Sequence, residues 1–195
     1  MRFRPVFVLP AVGCLLVALC LISRWVGFGS SGIFSGETIA APRDDVLKGR
    51  GLLQAGDAKR RKKDFAGARK CYEEAANLFQ TAGIQFFAAA ARQMTEMCAA
   101  MPLKISELKS GTYEGTDRGY VGDITVSLDV KSGRINRFQI VSHRESRPSK
   151  SLDVVPQQIL TRQSPSVDAV TGATITSYAV MSATFKALEK AKQTP

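Results

Sequence analysis

Residues 124–142 read ITVSLDVKSGRINRFQIVS, and this stretch decides the architecture. Ile124, Val126, Leu128 and Val130 alternate with Thr125, Ser127 and Asp129. A period of two places one face of a strand in a core and the other in water. Ser132-Gly133 then marks a tight turn, and Arg134–Ser142 reads as a second strand with Ile135, Phe138 and Ile140 as its apolar positions. The two strands are expected to pair antiparallel as a hairpin.

Upstream of the hairpin, Gly111–Tyr120 (GTYEGTDRGY) is turn-rich, and Pro102 closes a segment of different texture. From Asp44 to about Met101 the chain is rich in Ala, Leu, Lys, Glu and Gln and poor in Gly, which predicts helices. Asp44 or Asp45 is expected to cap the first of them. Leu52, Ala55, Gly56, Ala68, Tyr72 and Ala75 fall at the spacing of one tetratricopeptide-like repeat, with Lys59 where an aromatic is usual. Small residues in that pattern let two antiparallel helices approach, but stable arrays need about three or more units. The segment 44–102 is therefore expected to be a helical hairpin, turning at Asp64–Ala68, plus a third helix over Ile84–Ala99. It serves either as a spacer or as a docking element for a protein partner.

Downstream, Leu152–Leu160 reads as a short helix. Ser177–Lys192 reads as an amphipathic one, with Met181, Phe185 and Leu188 on one face. The fold class expected for the chain is α+β: an N-terminal transmembrane helix, an all-helical segment, then a small domain of antiparallel sheet and helices over 109–195.

The first residues set the compartment. Val6–Ile22 (VFVLPAVGCLLVALCLI) carries no charge and is flanked by Arg2, Arg4 and Arg24. That length is at the lower edge of the roughly 17 to 25 residues a spanning helix needs. No small-residue cleavage site follows closely, so residues 1–26 are read as an uncleaved anchor. Basic residues concentrate before the span, which keeps the N-terminus in the cytoplasm and puts the rest outside a bacterial cytoplasmic membrane, in the periplasm. Residues 27–43, rich in Gly and Ser, read as a flexible linker.

The net charge of +10 raises the possibility of a nucleic-acid partner. Much of the excess lies in Lys59, Arg60, Arg61, Lys62 and Lys63, without interleaved aromatics, so a solvated helix face is expected, with anionic lipid as the functional rival. Cys14 and Cys20 fall in the apolar run, and Cys71 and Cys98 fall in helices. Spacing alone leaves open whether the latter two pair. The absence of a CxxC or a Cys/His cluster argues against an iron–sulfur, haem c or zinc site.

The chemistry concentrates in Asp168-Ala-Val-Thr-Gly-Ala-Thr-Ile-Thr-Ser177. Hydroxyls of Thr171, Thr174, Thr176 and Ser177 gather where a helix begins, and Gly172 and Ala173 leave the backbone accessible. Unpaired amides and the positive end of the helix dipole suit such a place to a phosphate. On the residues alone, plain helix capping, with Ser or Thr binding free N–H groups, is the favoured reading.

Thr171–Thr176, preceded by Asp168, resembles the flavinylation motif of the FMN-binding domain family. That family includes the C subunit of the sodium-translocating NADH:quinone reductase and the G subunit of Rnf-type complexes. Gly111-Thr-Tyr-Glu-Gly-Thr, Gly119-Tyr-Val-Gly-Asp-Ile-Thr-Val, the Gly133-Arg-Ile turn and Ser142-His-Arg-Glu-Ser146 resemble family blocks in the same order, so the likeness runs from about Lys109 to Ala191. The resemblance implies covalent FMN, esterified through its phosphate to Thr174 by a separate magnesium-dependent flavin transferase that uses FAD. Thr176 is the fallback acceptor. It further implies that Thr171, Gly172 and Ala173 shape the phosphate loop and that Asp168 assists attachment. His143 and Glu145, on one face of a strand, are expected to border the ring. Ser146-Arg-Pro-Ser149 replaces the usual Thr-Pro-Gly run.

The function implied is an anchored, extracytoplasmic electron carrier rather than a stand-alone catalyst. It would exchange electrons with a quinol-linked membrane partner or an exported redox protein. No nucleophile, base and oxyanion constellation for hydrolysis is present. The competing reading is a helical interaction module whose C-terminal domain is flavin-free or binds FMN non-covalently.

Overall fold

The computed structural model describes residues 42–145 and 150–193, and the hydrophobic run at residues 6–22 lies outside them. Among the described residues no helix is long and apolar enough to cross a membrane. Three helices come first: α1 (Pro42–Arg61), α2 (Phe65–Thr81) and α3 (Gln85–Ala99). Pro42 stands at the first helical position, where its missing N–H costs nothing. Asp44 and Asp45 therefore sit inside the first turn, favourable to the helix dipole, rather than at the cap, and the expected linker ends two residues earlier than its composition suggests. Asp64 caps α2 through a 2.8 Å bond accepted from the Gly67 amide.

The small residues of α1 do what their spacing promises. A Cβ at Gly56 would lie 2.7 Å from the Tyr72 ring, and one at Gly49 would lie 2.8 Å from the Phe79 ring. Tyr72 and Phe79 are fully buried in that seam, with Phe79 stacked on Phe87 at 5.0 Å between ring centroids.

The sheet has three antiparallel strands in the order β1–β2–β3: Gly111–Arg118, Asp123–Lys131 and Arg134–Ser142. The β2–β3 hairpin is the one expected. Ser132 and Gly133 both hold positive φ, 50° and 69°, the combination that matches hairpin twist. Strand β1 is a correction, since Gly111–Tyr120 reads as turn. Its glycines weaken the strand signal, yet Gly111 to Arg118 pairs residue for residue with Val130 to Asp123. At the free edge of β3, the Gln163 side chain stands in for a fourth strand, accepting from Ile135 N (2.7 Å) and donating to Ile135 O (3.1 Å).

Helix α4 (Ser151–Arg162) packs on β3, and α5 (Thr174–Gln193) lies under the sheet. The amphipathic reading of α5 requires revision. The helix begins at Thr174, three residues early, and every residue from Ile175 to Phe185 is buried, because β1 and β2 cover one side while α3 and α4 cover others. Its buried hydroxyls are satisfied: Ser182 donates to Asp117 and Thr184 to the Val180 carbonyl. The described residues from 42 to 193 form one compact unit, so α1–α3 share a core with the sheet, α4 and α5.

A polar cluster sits inside that core. Arg60, 2% exposed, donates to Asp57 (2.8 Å) and Tyr72 (3.1 Å), and Asp57 also accepts from Tyr72 (2.7 Å) and Tyr178 (2.9 Å). The solvated-face reading thus holds for Lys59, Arg61, Lys62 and Lys63 but not for Arg60. Both described cysteines are free thiols.

Burial pushes the Cys98 thiol up from 9.0 to about 11. It also raises the Tyr72 and Tyr178 hydroxyls above their ordinary 10.0, with Asp57 adding to the rise. In the folded chain these three stay protonated at a pH where the unfolded chain releases their protons. Their stabilising contribution is therefore whole below about pH 9 and lost as pH climbs through the folded values. Urea midpoints are expected to fall between pH 9 and 11, with Tyr72→Phe and Tyr178→Phe together flattening much of the decline. A midpoint as steep in the double variant as in the wild type contradicts this account.

Candidate functional site

The start of α5 is built from both neighbours of the motif. Val170–Ala173 forms a tight turn, closed by Ala173 N donating to Val170 O at 2.9 Å, with Gly172 at φ +80° in the position that demands it. The first helical bond of α5 runs from Ser177 N to Ala173 O (2.9 Å), leaving the amides of Thr174, Ile175 and Thr176 ahead of the ladder. Ser177 ties the turn to the helix, its Oγ accepting from Val170 N (3.0 Å) and donating to Ala173 O (2.8 Å).

The hydroxyls of the motif differ sharply in availability. Ser177 is fully buried and doubly bonded, and Thr176, 4% exposed, donates to Glu145 Oε2 at 3.2 Å. Thr174 is half-buried at the first helical position and Thr171 is exposed. Among the described residues neither side chain makes a hydrogen bond that competes for its oxygen. A phosphate ester at Thr174 would thus meet free amides and a positive helix end, and the residues present fit a phosphate-bearing group.

Glu145 is the link between sheet and helix. Its Oε1 accepts from the amides of Tyr120 (2.8 Å) and Val121 (3.3 Å), and its Oε2 holds Thr176. The β1–β2 turn makes room for it: Gly119 N donates to Gly122 O (2.8 Å), and a Cβ at Gly119 would collide with the Glu145 carboxylate. The Gly119-Tyr-Val-Gly122 block is therefore a two-amide cradle for a carboxylate, a role its sequence alone did not reveal. His143 goes elsewhere. Strand β3 ends at Ser142, so His143 and Glu145 do not share a strand face. His143 is exposed and lines a groove of about 720 Å³ between β3 and α4, floored by Phe138, Ile140, Leu152, Pro156 and Leu160.

Asp168 accepts from Arg162 at 2.7 Å and lies 3.7 Å from Arg61, while its amide donates to Gln158 (3.0 Å). Its Oδ1 is buried and has no hydrogen-bond partner among the described residues. Just upstream, Arg60 donates to the Val167 carbonyl (2.6 Å) and to Ser166 Oγ (3.1 Å). Sequence reasoning missed Arg60, Asp57 and Tyr178 here, because the contacts join positions more than a hundred residues apart.

Residues 119–189 match the model of the FMN-binding domain family. An uncharacterized protein of Treponema pallidum (strain Nichols) is 31% identical over 100 residues, covering 50% of this chain and 28% of that protein. An NADH:acrylate oxidoreductase of Vibrio harveyi is 31% identical over 93 residues, covering 47% of this chain and 9% of that protein. The chain thus matches less than a third of the length of the first relative and less than a tenth of the second.

Proposed function

We propose, with the FMN-binding domain at residues 119–189 as the premise, that this chain is a flavoprotein of electron transfer whose FMN is esterified to Thr174. The observation that carries the site is the contrast in hydroxyls: Thr174 is accessible at the helix start, whereas the fallback, Thr176, is buried and bonded to Glu145. Attachment forms an ester bond between Thr174 Oγ and the flavin-side phosphorus of FAD and breaks the pyrophosphate P–O bond. AMP leaves, and the hydroxyl proton passes to a base of the flavin transferase.

When bound, the isoalloxazine supplies one- and two-electron chemistry. The α5 amides of Thr174, Ile175 and Thr176 would hold the phosphate, and Glu145 fixes the adjoining loop. The Vibrio harveyi relative's name joins NADH to acrylate. What this supports for the present chain is a place among electron-transferring flavoproteins; the partner we propose for it is a membrane quinol-linked protein or an exported redox protein.

The segment at residues 6–22 is read as the anchor that keeps this carrier at the outer face of a bacterial cytoplasmic membrane. A covalent tether suits such a place, since a cofactor held by a bond does not dilute away.

Protein co-expressed with a flavin transferase is expected to run as a fluorescent band on a denaturing gel. Thr174→Ala should be dark and Thr176→Ala still labelled. A dark wild-type band sinks the proposal, and a bright Thr174→Ala band moves the acceptor.

A further inference from the structure

The helices α1–α3 and strand β1 lie outside the matched region 119–189, yet α1 supplies the polar group that grips the attachment segment. We infer that Arg60 is a positioning residue for flavin attachment: with Asp57 it fastens both ends of the segment 167–178 to α1. This rests on the flavin reading above.

At the upstream end, Arg60 donates to the carbonyl of Val167 at 2.6 Å and to Ser166 Oγ at 3.1 Å. At the downstream end, Tyr178, fully buried in α5, donates to Asp57 Oδ2 at 2.9 Å. Asp57 Oδ1 receives Arg60 at 2.8 Å and Tyr72 at 2.7 Å, which joins the two ends through one carboxylate. The residues assigned above to attachment lie between those grips: Asp168, the Val170–Ala173 turn and Thr174.

A buried charge is an expensive way to stabilise a core, because apolar residues of similar volume usually serve as well. What apolar residues cannot do is hold a backbone carbonyl at a set distance. Arg60 does that at the residue before Asp168, and its neighbour Arg61 lies 3.7 Å from Asp168 Oδ1. The Thr174 hydroxyl must reach a phosphorus atom held by another protein, and misplacement by about 1 Å can cost on the order of 100-fold in rate. A clamp at both ends fixes where that hydroxyl stands.

The test uses the full chain in two measurements. In the first, wild type and Arg60→Met are incubated with the transferase, FAD and magnesium ion, and the initial labelling rate is divided by the folded fraction read from near-UV circular dichroism. Arg60→Met should be slower by at least about tenfold, mainly in kcat. Met97→Ala, a core truncation in α3, should lose thermal stability yet label its folded fraction at the wild-type rate.

In the second, hydrogen exchange of apo protein should rise by about tenfold or more over residues 168–173 in Arg60→Met, while the middle of α5 stays protected. If Arg60→Met does not fold, Tyr178→Phe and Ser166→Ala each remove one hydroxyl from the clamp and should show the same effects at smaller size. Wild-type labelling and wild-type exchange in these variants overturn the clamp. A wild type that never labels, with exchange still raised in the variants, overturns the flavin reading and leaves the clamp standing.

Discussion

Replacing Gly115 with alanine is expected to leave no folded protein. Gly115 lies in the middle of β1, buried, where the strand crosses α5. A Cβ there would run into the Ala183 carbonyl oxygen and stand 2.6 Å from the Ala187 amide nitrogen. Both are backbone atoms of a helix, so no rotamer change relieves the clash. Sheet and helix would have to part along their whole contact, opening the layer that holds Val126, Leu128, Met181 and Leu188. The loss should exceed about 4 kcal/mol, a large part of a domain's whole stability. Soluble yield and a thermal melt followed by circular dichroism report the outcome. Gly51→Ala is the control, because that exposed helical position has nothing within 4 Å of a Cβ and should gain roughly 0.5–1 kcal/mol. A cooperative, wild-type-like melt for Gly115→Ala would show that the strand does not approach the helix this closely.

Asp57→Ala should be the next most damaging change. Its carboxylate accepts from Arg60, Tyr72 and Tyr178, and removing it leaves a guanidinium, itself 1% exposed in its side chain, without a counter-charge. Stranding a buried charge in this way costs about 3–5 kcal/mol. Asp57→Asn keeps the shape and part of the bonding and should cost less, about 1–3 kcal/mol. Urea midpoints of the two variants separate the charge from the hydrogen bonds. Equal losses would mean that the charge accounts for the whole effect and the remaining hydrogen bonds for none of it. The difference should persist in high salt, since a pair this enclosed is poorly screened.

What the sequence disclosed, and what it hid, follows from the range of the interactions. The β2–β3 hairpin is written locally, in the alternation of Ile124, Val126, Leu128 and Val130 and in the two turn residues, and the helices α2 and α3 are equally local. The β1 strand was concealed because Gly111, Gly115 and Gly119 look like turn residues. At Gly115 the missing side chain is instead a demand of the helix beneath, and at Gly119 a demand of Glu145. The burial of α5 was hidden by its Ser, Thr and Lys content. Each buried hydroxyl is answered either one turn back, as Thr184 is by Val180, or by a residue such as Asp117, 65 positions away from Ser182. Arg60 was the least legible of all. It stands in a run of five basic residues, and what distinguishes it from its neighbours is its set of partners, Asp57 and Tyr72 nearby and Ser166 and Val167, 106 and 107 positions later. The motif hydroxyls were legible as a group, while the ranking among them needed three dimensions.

The Gln163 side chain that occupies the β3 edge bears on how this protein behaves at high concentration. Three-stranded sheets leave two flanks open to a stray chain, and an unblocked flank is where one molecule's backbone templates another's. By taking both the amide and the carbonyl of Ile135, Gln163 makes the beginning of that flank refuse a newcomer. Arg134 and Arg137 on the same strand add like-charge repulsion between two approaching copies. The glutamine thus closes the start of that edge to backbone pairing, at the strand that the chain leaves last before turning toward its motif.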